Sequence, residues 1–198
     1  MKLMIGTKNP DKLIEIKDIL ANLDVSIELF SMADFPNLPD VIEDKKTIEG
    51  NAIKKATELA NFTGLPTIAD DTGFFVDALN GEPGVYAARF AGENCTYRDN
   101  RLKVLGLLEN ESNRGACFRT VVAFAEPGKL LGHVKGEVEG TITHKEFGES
   151  GFGYDPIFRL NATGKTFAEM PSAEKHGISH RSKALEACIP LLKDYFKI

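Results

Sequence analysis

The sequence predicts an α/β fold around a mixed β-sheet, in one domain spanning residues 1–198. Three features predict it. The chain opens with an apolar run, an amphipathic stretch and a second apolar run, the order of a strand–helix–strand unit with a parallel pair. A second amphipathic stretch leads into another short apolar run, Leu65-Pro66-Thr67-Ile68-Ala69. Between residues 119 and 143 strand patterns flank Glu126-Pro127-Gly128-Lys129, a hairpin turn that adds antiparallel strands to the sheet.

Lys2-Leu3-Met4-Ile5-Gly6 reads as the first strand. From Asn9, apolar residues recur at Leu13, Ile16, Leu20 and Leu23, with Ile14 and Ile19 widening the stripe, which is helical spacing. Pro10 fits the first turn of that helix, where its missing N–H does no harm. Residues 25–30 alternate as a strand, and 31–46 read as a loop. Residues 47–62 return to helical spacing through Ile48, Ala52, Ile53, Ala56, Leu59 and Ala60, closed by Gly64 and Pro66. The next strand ends at Asp70-Asp71-Thr72-Gly73, where glycine permits a sharp turn. A turn-rich region through Gly81, Pro83, Gly84 and Gly92 precedes a third helix over 97–109. After the hairpin and a glycine-rich run over 148–156, a short strand at 157–159 leads to a final helix near 179–196.

A chain of 198 residues, 42% hydrophobic and 27% charged, has the length and composition of a soluble globular domain. The net charge of −5 argues against wrapping a nucleic-acid polymer, though not against one nucleotide met by a few local cations and a metal. Cys95, Cys117 and Cys188 are scattered, without the spacing of a disulfide framework or a zinc site, which suits a reducing cytosol. No apolar run approaches the ~20 residues that span a bilayer, and the apolar N-terminus is too short for a signal peptide. The expectation is a cytoplasmic protein with no membrane partner.

Five segments carry candidate chemistry. Asp70-Asp71-Thr72-Gly73 offers an oxygen-rich corner of the kind that holds Mg²⁺ with substrate phosphates, or equally a local Asx turn. Thr7-Lys8-Asn9-Pro10-Asp11-Lys12 lies where a strand enters a helix, a place of free N–H donors and partial positive charge that suits an anion. Its plainer reading is a helix cap flanked by solvated lysines. Glu43 offers one more metal oxygen and Lys54 or Lys55 a phosphate contact, or else an acidic loop and a solvated helix face. In Gly148 to Asp155, glycines permit close backbone approach, and Phe152 or Tyr154 can stack on a base or fill the core. Lys175-His176-Gly177-Ile178-Ser179-His180-Arg181 gathers cations at a helix start, which the helix dipole disfavours unless an anion or electron-rich group sits there. Ser179 alone is explained as a helix cap.

Taken in order, Thr7-x-Asn9-x-x-Lys12-x-x-Glu15, Asn51-Ala52 with Lys55, Ala69-Asp70-Asp71-Thr72-Gly73, Pro83-Gly84-Val85-Tyr86-Ala87-Ala88-Arg89, Gly151-Phe152-Gly153-Tyr154-Asp155-Pro156 and Ser179-His180-Arg181 resemble the inosine/xanthosine triphosphate pyrophosphatase family over nearly the whole chain. The resemblance implies a two-lobed α/β fold around a long mixed sheet, with the nucleotide between the lobes, and a homodimer. It implies Mg²⁺-dependent hydrolysis of ITP, dITP and XTP to the monophosphate and pyrophosphate. By position, Thr7, Lys8, Asn9, Pro10, Asp11, Lys12 and Lys55 would hold the triphosphate, with Thr72 beside them. Glu43 and Asp71 would hold metal, and Asp71 would accept a proton from the attacking water. Phe152 would stack on the purine, while Gly153, Tyr154, Asp155, Lys175, Ser179, His180 and Arg181 would line the base pocket. Arg181, a donor only, would accept a 6-keto purine and reject adenine. Lys8 stands where many relatives carry a small residue. The rivals are a Maf-type pyrophosphatase of other nucleotides and a nucleotide-binding protein without catalysis.

Overall fold

The computed structural model describes residues 1–21 and 27–198, so the expectations for Leu23 and Val25 lie outside it, as does the side chain of His176. The elements, in chain order, are β1 (Lys2–Ile5), α1 (Pro10–Ala21), β2 (Glu28–Ser31), α2 (Ile48–Thr63), β3 (Thr67–Val76), β4 (Pro83–Gly84), α3 (Tyr97–Leu107), β5 (Gly115–Glu126), β6 (Lys129–Ile142), β7 (Phe158–Leu160), α4 (Ser172–His176) and α5 (His180–Phe196). Seven strands form one sheet in the order β2-β1-β3-β5-β6-β7, with β4 paired to β3. β1 is parallel to both β2 and β3, with Leu3 opposite Leu29 and Ile5 opposite Ile68. β7 runs antiparallel to β6, so the sheet is mixed, as expected.

The local chemistry explains the helix ends. Asn9 precedes α1, and its side-chain oxygen accepts from the amides of Asp11 and Lys12 at 2.9 and 3.3 Å. That satisfies two donors that have no partner within the helix. Thr47 does the same for α2 by accepting from Gly50 N, and Gly64 closes that helix in the left-handed region at φ 70°. Thr96 and Asp99 exchange bonds as a capping box at the start of α3.

Two compact units divide the chain. The first comprises Met1–Asp71, Thr120–Gly136 and His180–Ile198. Its apolar core joins Leu3 and Ile5 of β1, Ile16 and Leu20 of α1, Phe124 of β5 and Leu185 and Leu192 of α5. The second comprises Thr72–Arg119 and Glu137–Ser179. Its core is aromatic, with Phe74, Phe118, Tyr154, Phe158 and Phe167 in mutual contact. Each such side chain, fully buried, contributes roughly 1.5–3 kcal/mol of transfer free energy.

The structure corrects the sequence reading in three places. Asp70-Asp71-Thr72-Gly73 is not a turn at a strand end: β3 runs through it to Val76, continued by Phe74 and Val76 in the second core. Gly73 is needed for close approach, since a Cβ there would stand 2.6 Å from the Phe75 ring and 3.1 Å from Gly84 O. β5 begins at Gly115, before the expected 119. The short helix α4 was not foreseen, and the loop before α2 holds a 3₁₀ turn at Met32–Asp34.

Candidate active site

In the first unit, β3 presents Asp70 and Asp71 in succession, so their side chains leave opposite faces of the strand. Asp70 is buried, and its Oδ2 lies 2.9 Å from Lys12 Nζ and 3.4 Å from Arg181 Nε. Burial alone would raise its carboxyl, but Lys12, Arg181 and Lys55 overcome that and hold it well below the usual carboxylate range. Arg181, 1% exposed, also pairs with Glu15 of α1. Of the cations expected to be misplaced at the start of α5, Arg181 is therefore answered by the protein's own carboxylates, with its guanidinium committed to Glu15 and Asp70.

Asp71 has a different environment. Its Oδ2 accepts from Asn51 Nδ2 at 3.0 Å. Burial and the nearby Glu43 push its carboxyl up, and the opposing pull of Lys55, Lys12 and Asn51 does not cancel them. Lys55, one turn beyond Asn51 on the buried face of α2, reaches Glu43 Oε1 at 2.7 Å and the carbonyl of Asp70 at 2.5 Å. Burial works against its charge, yet Asp70, Asp71 and Glu43 raise its pKa. Lys12 goes the other way: burial, Lys55 and Arg181 lower it despite Asp70. The structure thus gathers Lys12, Glu43, Lys55, Asp70 and Asp71 into one polar cluster. Lys54, the alternative to Lys55, faces out to Asp44 and the carbonyl of Ile42.

The opening segment is largely self-satisfied. Thr7 Oγ1 accepts from Asn9 N, Pro10 opens α1, Asp11 sits in its first turn, and exposed Lys8 pairs with Asp40. In α5, His180 Nδ1 lies 2.7 Å from Thr120 Oγ1, and both residues are buried. Close passage of β6 fixes this helix start, because a Cβ on Gly136 would meet His180 O at 2.1 Å.

In the second unit, Asp155 organises the glycine-rich loop. Its Oδ2 accepts from Phe152 N at 2.9 Å and from Lys175 Nζ at 2.7 Å. Gly151, at φ 74°, is obligatory because a Cβ would fall 2.2 Å from that same oxygen. Lys175 Nζ stands 4.7 Å from the centre of the half-buried Phe152 ring. Gly153 gives its carbonyl to Arg101. Tyr154 departs from its expected place in a base pocket: its ring stacks on Phe74 at 4.4 Å and its hydroxyl donates to Ala87 O. Thr72 is half-buried in β3, and Ser179 is buried just before α5. Sequence reading assigned no role to Asn51, Glu15 or Thr120, although a polar residue within an apolar helical stripe was a signal for the first two.

The donors suit a hard divalent cation. Asp71 and Glu43 are oxygen donors whose mutual repulsion a positive ion would relieve. Among the described residues no three His, Cys, Asp or Glu side chains form a complete metal cage.

Comparison with known proteins identifies the family. The family model described as the Ham1 family matches residues 3–191. A protein named dITP/XTP pyrophosphatase from Geobacter sulfurreducens is 46% identical, over 98% of this chain and 96% of its own length. Another so named, from Flavobacterium johnsoniae, is also 46% identical, over 97% and 98%. Among solved structures, a HAM1 protein from Coxiella burnetii matches with a TM-score of 0.89 at 38% identity, covering 98% of this chain and 99% of that one. The Staphylococcus aureus Ham1 protein matches at 0.87 and 36%, covering 98% and 100%. On sequence and fold together, the chain belongs to the Ham1 family.

Proposed function

We propose that the protein hydrolyses non-canonical purine nucleoside triphosphates, ITP, dITP and XTP, to the monophosphate and pyrophosphate, clearing them from the nucleotide pool. The observation that carries this reading is the cluster of buried Asp70, Asp71 and Lys55 with the half-buried Lys12 and Glu43, whose two neighbouring aspartates are pushed in opposite directions. Such a split gives one carboxylate a structural task and leaves the other as a base.

In this reaction water adds across the α–β anhydride. Asp71 accepts the proton of the attacking water, the water oxygen stays on the monophosphate, and the bridging oxygen leaves with pyrophosphate. A carboxyl raised above its ordinary range is a better proton acceptor than a free one. Asn51 holds that carboxylate in place. Lys12 and Lys55, with the loop from Thr7 to Asp11 and Thr72, meet the triphosphate. Glu43 and Asp71 would hold Mg²⁺, which supplies charge neutralisation and lowers the pKa of bound water. In the second unit Phe152 stacks on the purine, and Gly153, Asp155, Lys175 and Ser179 shape its surroundings. Arg181, committed to Glu15 and Asp70, acts as a positioning residue for the acidic pair. The working form is a cytoplasmic homodimer.

A panel of nucleoside triphosphates with Mg²⁺ tests the reading, with products scored as monophosphate or diphosphate. ITP, dITP and XTP yield monophosphate with pyrophosphate, while ATP is a poor substrate. Diphosphate with inorganic phosphate as products, or equal turnover of ATP, overturns it. Asp71→Asn lowers kcat by ~10²–10⁴-fold while nucleotide still binds; unchanged turnover removes Asp71 from the catalytic role.

A further inference from the structure

The second unit contains a cavity of about 350 Å³ whose lining includes Arg114, Ile142, His144, Lys145, Phe147 and Arg159. None of these residues takes part in the cluster around Asp71 or in the loop held by Asp155. Four of the lining side chains are basic and none is acidic. In a chain of net charge −5 that is a local reversal of sign, and a concave surface with one sign of charge concentrates ions of the other.

The cations are held by means other than carboxylates in the wall. Arg114 is buried, and its guanidinium donates to three backbone carbonyls, those of Ile142, Leu108 and Thr143. Carbonyl oxygens fix the guanidinium in place but leave its full positive charge unneutralised. Phe147 has two cations near its ring, with Lys145 Nζ 5.3 Å and the Arg159 guanidinium carbon 5.2 Å from its centre. These contacts hold both side chains without adding negative charge. Arg159 Nε is buried and has no hydrogen-bond partner among the described residues. Glu169 is the carboxylate near Arg159, and it is bound to the amide of Thr166.

We propose that this cavity is a binding site for a small phosphate monoester, distinct from the nucleotide-hydrolysing site. A phosphate carries up to two charges and several acceptor oxygens, so it answers a fork such as the Arg159 guanidinium together with Lys145 and His144. Ile142 and Phe147 provide apolar wall for the organic part, and the volume is at the lower end of the range of small-molecule sites.

The test uses ribose 5-phosphate as probe on the full chain, by calorimetry and by the ring signals of His144 in NMR. Inorganic phosphate and acetate form the comparison arms. Wild-type protein binds the probe with a Kd on the order of 1 mM or tighter, and acetate is at least about tenfold weaker. Arg159→Gln and Lys145→Gln each weaken the probe about tenfold or more, while ITP turnover and the thermal midpoint stay at wild-type values. Should inorganic phosphate bind as tightly as the ester, the cavity reads the phosphate alone, which keeps the site and identifies free phosphate as its ligand. Absence of binding at ~10 mM probe, unchanged affinity in both variants, or loss of binding in Lys12→Gln instead overturns the proposal. Because turnover is read separately, failure here leaves the catalytic reading intact, and failure of that reading leaves this one standing.

Discussion

Two adjacent aspartates on one strand do opposite work because their neighbours differ. Asp70 faces Lys12 and Arg181 and stays ionised; Asp71 faces Asn51, with Glu43 near it, and its carboxyl is raised. Asn51 is the adjustable part. Its amide bond stabilises the charged carboxylate and so lowers the Asp71 pKa; removing it raises that pKa further. Asn51→Leu therefore moves the acidic limb of the kcat/KM profile for ITP to higher pH and reduces the rate at neutral pH. An acidic limb that stays in place, or moves to lower pH, shows that the amide does not tune the base. A similar argument applies to Thr120, whose hydroxyl meets His180 Nδ1 inside the first unit. Thr120→Val removes that hydroxyl from a buried imidazole, which costs roughly 0.5–1.5 kcal/mol; Thr120→Ser restores the contact. The expected signature is a raised KM for ITP in the valine variant with recovery in the serine variant, and equal KM values in both would assign the pair to stability alone.

At the scale of elements, α1 and α2 and their caps were legible because periodicity and end signals agree: Asn9, Thr47 and Gly64 stand where these helices begin or end. β3 was half legible. Its apolar start was visible, but Asp-Asp-Thr-Gly looks like a turn from local preference, and only tertiary pairing with β4 carries the strand on to Val76. The roles of Glu15 and Arg181 were hidden for a related reason: an ion pair between α1 and α5 joins residues 166 apart, and no local pattern reports it. Tyr154 illustrates the opposite ambiguity: an aromatic beside a glycine suits a core as well as a base, and its ring packs on Phe74. Glycine in β6 marks where that long-range packing is tightest. At Gly136 a Cβ would stand 2.1 Å from His180 O and 2.3 Å from Ala184 N, both backbone atoms of α5. Gly136→Ala is accordingly expected to lower stability by about 1–3 kcal/mol or more, measured by urea unfolding. Gly106, in α3, has nothing within 4 Å of a Cβ, so Gly106→Ala raises stability by roughly 0.5–1 kcal/mol. If both glycines respond alike, close passage of β6 and α5 is not what Gly136 is for.

For the whole molecule, the same acidic pair links activity to stability through pH. Asp70 has a folded pKa below its ordinary value of 3.8, so the stability it contributes is present above that pH and is lost on acidification below it. Asp71 has a folded pKa above 3.8, so its contribution has the other sign: folding favours the protonated form, and ionisation at neutral pH works against the folded state. A neutral isostere removes that opposition and can keep the bond from Asn51. Asp71→Asn is therefore expected to raise the thermal midpoint at pH 7 by roughly 2–4 °C while abolishing turnover. On acidification the difference from wild type narrows, because the native carboxyl takes up its proton as well. Adding Mg²⁺ should raise the midpoint of the wild-type protein, since an ion that binds only the folded state stabilises it, and should leave the variant nearly unmoved. A variant that melts below wild type at neutral pH, or gains as much from Mg²⁺, would show that Asp71 is a structural acid whose charge the fold requires, and the assignment of proton acceptor would pass to another group of the cluster.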